Sequence, residues 1–306
     1  MTNTLGSLSR EQKRKIVPYL LIAPVLIYYV IFWLFPVIRA VGGSFMSAPF
    51  SSGGQFTFDN YIRLFKDPVF YQALLNTTII VLISVTLEFL LAFGLALLIN
   101  KKFHGSSLFL FLALIPMSLP AVAVGAIWTS GLSTYGWLNS FLIQIGIIDI
   151  NEKIVFLGGG YFGKLILIII VDAWQVIPSV MVILLSGMQG MQPEMLEAGY
   201  VFGGNRFEVL RKITIPLLKP TITTAMILRI IAAIQIWLII VMLLGFNRLP
   251  VLLEQIVLNV DQYTGSEEFF RKGMALSVIV ALIVSCVSFI YLKVSGALDE
   301  PAGKGV

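Results

Sequence analysis

The chain is poor in the groups that most chemistry needs. Its 306 residues hold one histidine, His104, and one cysteine, Cys286. A single histidine removes His-based triads, multi-histidine zinc sites and histidine relays. A single cysteine in an apolar run leaves neither a disulfide framework nor a multi-cysteine metal site. Charge is scarce as well: 12% of residues are Asp, Glu, Lys or Arg, against roughly 25% in soluble domains. The net charge of +5 is small and dispersed, which argues against a nucleic-acid surface. There is no Gly-x-x-x-x-Gly-Lys-Ser/Thr phosphate loop, no low-complexity tract and no short repeat. Nor does a nucleophile-base pair or a metal-ligand cluster point to a membrane-embedded enzyme.

What the chain does have is apolar sequence. Hydrophobic residues make up 58% of it, gathered in six runs at about 17–40, 73–99, 107–130, 163–187, 220–245 and 273–294. Each is long enough for a span of ~20 residues. Arg10, Lys13, Arg14 and Lys15 precede the first run as they would in a signal peptide. That run, from Ile16 to about Ile38, is too long for a cleaved segment and has no small-residue cleavage pattern, so it reads as a retained span. Lys and Arg orient the chain. The N-terminus, Lys101/Lys102, the 190–219 loop and the C-terminal end hold twelve, and the opposite segments hold seven. The bias places both termini and the 190–219 loop in the cytoplasm.

That loop is the most polar interruption of the apolar pattern, reading MLEAGYVFGGNRFEVLRKITIPLLKP from Met195 to Pro220. Pro193 suits the first turn of a helix, and Glu194 and Glu197 lie where the helix dipole favours carboxylates. Gly203-Gly204 offers a turn open to positive φ. Asn205 can cap a second helix, with Phe207, Leu210 and Ile213 on one face, and Pro216 and Pro220 are expected to stop it.

The spacing Glu197-Ala198-Gly199, Gly203, Ile213, Pro216 resembles the EAA loop of bacterial ABC importer permeases. More residues extend the resemblance to the carbohydrate-uptake branch of type I permeases (the maltose and glycerol-3-phosphate type). They are Pro18-Tyr19-Leu20-Leu21 with Pro24, Phe58-Asp59-Asn60-Tyr61, Leu74-Leu75-Asn76-Thr77, Leu114-Ile115-Pro116, Ala126-Ile127-Trp128, Gly136-Trp137-Leu138-Asn139 and Gly187-Met188-Gln189. The resemblance implies an all-α polytopic membrane protein of six transmembrane helices, a wrapping first helix plus a five-helix core. It also implies a bacterial cytoplasmic (inner) membrane location and a path for a sugar or similar polyhydroxylated solute. The expected partners are a second permease subunit, two ATP-binding subunits, an extracytoplasmic solute-binding protein and the lipid bilayer. No cofactor is expected in this chain, ATP and Mg being bound by the ATPase subunits. The loop residues Glu197, Ala198, Gly199, Gly203, Ile213 and Pro216 would then couple the chain to those ATPases.

The segments expected are a cytoplasmic N-terminus at 1–16, a first span at 17–44, an extracytoplasmic segment at 45–70, a permease core at 71–294 with the coupling loop at 190–220, and a cytoplasmic tail at 295–306. The chain departs from the family pattern at Gly199, where a second Ala is usual, at Phe202, where Asp is usual, and at Gly245 to Pro250, where Gly-Gly-Pro is often seen. Gly199 is expected to loosen the coupling helix slightly. A different class, the ion-gradient-driven secondary transporter, would show inverted repeats and a clustered acidic ion site, and neither is found.

Three charges fall well inside the runs, away from their ends: Glu88, Asp172 and Arg229. Facing lipid, each would cost about 2.5–3.5 kcal/mol, so each faces a polar path, a partner helix or another of the three. On a path they would bond solute hydroxyls; otherwise they form ion pairs between spans. Trp174, close to Asp172, is expected on the same solute path. Gln235 and Trp237 in the fifth run form a sugar-site pair, an amide for hydroxyls and a ring for a sugar face. Pro36, Pro116, Pro120 and Pro178 are expected to interrupt the spans they lie in.

Overall fold

The computed structural model describes residues 10–48, 53–260 and 266–298. Residues 1–9 and 299–306, which make up much of the two segments expected to be cytoplasmic, lie outside the described residues. In chain order the helices are α1 (Arg10–Tyr29), α2 (Phe35–Ser44), α3 (Asp59–Lys66), α4 (Pro68–Asn100), α5 (Ser106–Leu114), α6 (Ala121–Leu132), α7 (Trp137–Gln144) and α8 (Tyr161–Gln189). They continue as α9 (Pro193–Val201), α10 (Arg206–Val209), α11 (Ile215–Leu217), α12 (Lys219–Ile234), α13 (Leu238–Leu244), α14 (Leu252–Val260) and α15 (Glu267–Val294). Among the described residues the β structure is a single bridge, Met46 to Phe56. The chain divides into two compact units, Met1–Lys66 with Asn259–Val278 and Asp67–Leu258 with Ile279–Val306.

In the first unit, α1, a π-helical segment at Val30–Leu34 and α2 follow one another without a break. Pro36 has no N–H, and its ring would strike the carbonyl four residues back. The widened turn just before it absorbs that clash. So Pro36 reshapes the first span without interrupting it. Val17–Ser44 has no buried residue in its most apolar window, as befits a helix whose side chains meet lipid or another chain. Asn60 on α3 donates to the carbonyls of Ser44 (2.9 Å) and Met46 (3.1 Å), which fixes the chain where it leaves α2. Arg63 on α3 pairs with Glu268 at the start of α15.

The second unit is built on α4 and α8. Asp67 caps α4 by accepting from the Val69 N–H (2.8 Å), with Pro68 in the first turn. Thirty-three residues at about 1.5 Å each make a helix of about 50 Å, well beyond a ~30 Å hydrocarbon layer. One core cluster joins Ile80 of α4, Val124 of α6, Ile168 of α8 and Ile240 of α13. A second joins Ala92 and Ala96 of α4 with Met181 and Leu184 of α8 and Ala225 of α12. The alanines let the helix backbones approach closely.

Among the described residues, four helical stretches are long and apolar enough to span a membrane: Val17–Ser44, Pro68–Asn100, Tyr161–Gln189 and Glu267–Val294. Two bent pairs, Ser106–Ser118 with Ala121–Leu132 (97°) and Arg206–Leu217 with Lys219–Ile234 (68°), raise the number to six if each is one span. The third run is therefore sharply bent, at the 3₁₀ turn Pro116–Ser118 and at Pro120, which precedes α6. The fifth run, expected as one helix over 220–245, is broken between α12 and α13, with Trp237 at φ −158°, ψ −46°. Pro178 does not interrupt its span, for α8 runs through it.

Candidate functional site

The buried face of α4 steps along Ile80, Ser84, Glu88, Ala92 and Ala96, each 0% exposed. The fourfold spacing keeps them on one side of the helix, so Ser84 and Glu88 lie between the two apolar clusters. Asp172 on α8 and Arg229 on α12 meet them there. The Arg229 Nη2 donates to Ser84 Oγ (3.1 Å) and to Glu88 Oε1 (2.9 Å). Its Nε pairs with Glu88 Oε2 and its Nη2 with Asp172 Oδ2. The Ser84 hydroxyl donates to Glu88 Oε1 at 3.1 Å, with Asp172 Oδ2 at 3.4 Å as its other acceptor. Side-chain exposure is 6% for Arg229, 0% for Glu88 and 9% for Asp172, so the cluster is closed on itself. Of the residues singled out in the sequence, these three are brought together. Ser84 was missed, although a hydroxyl four residues before a helical carboxylate is a legible sign.

The aromatic candidates lie elsewhere in the unit. Trp174 meets Trp128 edge-on, with centroids 5.6 Å apart, and Trp128 in turn meets Trp137 at 5.6 Å. Trp174 and Trp237 both pack, half-buried, against the cluster around Ile168 and Ile240. Gln235 is exposed at the end of α12. Gln235 and Trp237 thus flank the break between α12 and α13 and do not share the face of an unbroken span. Another residue missed in the sequence is Glu254, buried at the start of α14. It accepts from the N–H groups of Asn247 (2.6 Å) and Val251 (3.2 Å) and so holds the turn that replaces Gly-Gly-Pro. Burial pushes its carboxyl above the ordinary range, and those two donors pull it back.

The polar loop is a helix-turn-helix. Helix α9 has Pro193 in its first turn and Glu194 beside it. At its end the N–H groups of Gly203 and Gly204 reach back to the carbonyls of Tyr200 (2.9 Å) and Gly199 (3.0 Å). Gly203 takes φ +84°, where a Cβ is strained. Asn205 caps α10 in a reciprocal box: its Oδ1 accepts from the Glu208 N–H (2.9 Å), and Glu208 Oε2 accepts from the Asn205 N–H (3.0 Å). That N–H, and next the Lys212 ammonium, hold the Glu208 carboxyl below its ordinary range.

Two expectations for this loop need correction. The second helix is not one α-helical face: residues Leu210–Thr214 form a π segment, which shifts Ile213 relative to Phe207. Nor does Pro216 stop the helix; the π turn accommodates it, as before Pro36, and α11 carries on to Leu217. The departure at Gly199 also has a packing reason, since a Cβ there would run into the Ile213 and Val209 side chains. Glu197, Ala198 and Pro216 are exposed, and Phe202 at the turn is 91% exposed. A cavity of about 500 Å³ opens on this motif, lined by Ala198, Gly199, Phe202, Gly203 and Ile213 among others.

Residues 88–299 match the family described as binding-protein-dependent transport system inner membrane component. The chain belongs to this family. It is a multi-pass membrane permease component, and the matched stretch includes the charge cluster and the whole loop. The trehalose/maltose transport system permease protein MalF of Thermococcus litoralis is 28% identical over 297 residues, covering 96% of this chain and 98% of its own. The sulfoquinovosyl glycerol transport system permease protein SmoG of Agrobacterium fabrum is 31% identical over 291 residues, covering 93% and 92%. The fold is that of a permease chain in a bacterial ABC transporter that imports the acidic polysaccharide alginate, with a TM-score of 0.80 at 20% identity over 95% of this chain and 99% of that one. This is the all-α type I ABC importer architecture.

Proposed function

We propose that this chain forms half of the translocation path of an ATP-driven importer for a sugar or similar polyhydroxylated solute. The observation that carries the reading is the loop: two short helices joined at Gly203, with Glu197, Ala198 and Phe202 exposed for a partner. A second permease subunit, two ATP-binding subunits holding Mg and ATP, and an extracytoplasmic solute-binding protein complete the assembly. Both termini and the loop lie in the cytoplasm. The permease core runs from 71 to 294, after a first span at 17–44 and an extracytoplasmic segment at 45–70. The names of the two relatives above, a trehalose/maltose and a sulfoquinovosyl glycerol permease, support a polyhydroxylated solute. Gln235, Trp237 and Trp174 are the wall residues proposed for it. The closure of the Glu88–Asp172–Arg229 cluster supports a place between the spans instead. The family match does not favour an ion-gradient-driven carrier.

Co-purification tests the reading. The intact chain should bring down its ATPase subunits, and Gly203→Val, which places a β-branched residue at positive φ, should weaken that association or uncouple ATP hydrolysis from uptake. An unchanged complex transporting at the unmodified rate would make the loop a passive connector. A cysteine at Asn205 in a Cys286→Ala background should be labelled from the cytoplasmic side; labelling from outside alone would reverse the topology. For the solute, the purified binding protein should retain one of maltose, trehalose, lactose or sulfoquinovosyl glycerol.

A further inference from the structure

The two helices that carry the loop are tied together well inside the unit. Asp172 lies on α8, which enters the loop, and Arg229 on α12, which leaves it. Arg229 is ten residues beyond the start of α12, about 15 Å along the helix. Glu88 lies on α4, which does not flank the loop. The cluster therefore contains two different links to one guanidinium: Asp172 joins the two loop-bearing helices, and Glu88 joins one of them to a helix outside the loop.

The charge count separates the two links. Two carboxylates face one guanidinium, so removing either negative charge still leaves a balanced ion pair. Neither single neutralisation strands a buried charge, which is the costly event in such a site. By bonding alone Glu88 matters more: it takes two Arg229 contacts and the Ser84 hydroxyl at 3.1 Å and is fully buried, whereas Asp172 takes one Arg229 contact and the same hydroxyl at 3.4 Å.

We infer that Asp172 and Arg229 are positioning residues for coupling, a brace that keeps α8 and α12 in register so that displacement of the loop moves both helices as one body. The brace rests on the coupling role proposed for the loop. It needs no solute contact, in keeping with the sealed site. Rigid, packed helices with a buried polar tie transmit a displacement that two independently sliding helices would absorb.

The test compares D172N with E88Q in the assembled transporter, reconstituted with its ATPase subunits and binding protein. The readout is uptake of whichever panel sugar the binding protein retains (maltose, trehalose, lactose or sulfoquinovosyl glycerol), divided by ATP hydrolysed. D172N should lower uptake per ATP at least about fivefold, while E88Q stays within about twofold of the unmodified ratio. The half-saturating concentration should not move in either. Asp172→Glu, which restores a carboxylate, should recover part of the loss. Equal behaviour of the two variants, or greater damage from E88Q, would assign the cluster to fold maintenance and overturn the brace. So would a D172N chain that fails to assemble where E88Q assembles. A shifted half-saturating concentration at unchanged uptake per ATP would place Asp172 on the solute path and overturn it equally. Gly203→Val, run alongside, separates the two readings: if it uncouples while D172N and E88Q behave alike, only the brace fails; if it has no effect, the coupling role of the loop fails.

Discussion

Two carboxylate–cation sites in this chain use similar groups in opposite surroundings. In the membrane-spanning part, Glu88 and Asp172 hold Arg229 with a serine alongside, all nearly sealed from solvent. In the loop, Glu208 pairs with Lys212 at 3.4 Å and with the Asn205 cap, both side chains of the ion pair being open to water. The first site is held by what would happen if it were broken, since a buried charge without its partner is very unfavourable. The second is held by local backbone geometry, and its ion pair, screened by water, adds little. One site ties distant helices, the other shapes a single turn.

The largest effect expected is from Arg229→Met. It leaves two buried carboxylates without a counter-charge and should destabilise the chain by about 3–5 kcal/mol, read as lost yield in the membrane and a lower melting temperature in detergent. Adding Glu88→Gln and Asp172→Asn to Arg229→Met removes both stranded charges and should recover most of that loss. If the triple variant is no more stable than Arg229→Met alone, the cluster is held by hydrogen bonding and shape, and the contrast with the loop weakens.

Next comes packing inside the loop. Gly199→Val would add a Cβ that runs into Ile213 and Val209 and two methyl groups beyond it, an overpacking of about 1–3 kcal/mol. Gly199→Ala meets chiefly the flexible end of Ile213 and gains helix propensity of up to ~1 kcal/mol, so it should be near neutral. Limited proteolysis between Gly203 and Asn205 should rank the variants Val, then Ala, with Ala close to the unmodified chain. Helix-cap removal by Asn205→Ala should cost ~1 kcal/mol, seen as faster amide exchange at Glu208 with no change at Arg229.

The same contrast decides what could be read from the sequence. The loop was legible because its determinants are neighbours: Asn205 and Glu208 are three residues apart, Gly203 marks the turn, and caps and turns are set by short-range chemistry. The π segment at Leu210–Thr214 was not, because it is a response to Pro216 that a regular helical pattern conceals. The three buried charges were visible as oddities in apolar runs, but their meeting was not. Arg229 bonds residues 57 and 145 positions away, and only the packing of α4, α8 and α12 brings them together. A partial signal existed for two of them in the fourfold series Ile80, Ser84, Glu88, Ala92 and in Ala225, Arg229, Ala233, which place Glu88 and Arg229 on the buried faces of their helices. The break at Gln235–Trp237 had no such sign, since the flanking sequence is uniformly apolar and holds no turn-forming residue.

The smallest effect expected sharpens the comparison through pH. The Glu208 carboxyl titrates below its ordinary value of 4.5, because the charged form is held by the Asn205 N–H and by Lys212. A group whose folded pKa lies below its unfolded one stabilises fully above the unfolded value and loses that contribution as pH falls through the folded value. The capping box should therefore be intact at neutral pH and weaken only below about pH 4.5. Amide exchange at Asn205, corrected for the intrinsic rate, should show protection that declines in that acid window. Glu208→Gln should flatten the decline, because a neutral amide accepts the same hydrogen bond without titrating. Exchange at Asn205 that is already fast at neutral pH would mean the box does not hold the turn, and that the φ of Gly203 alone sets the shape of the loop.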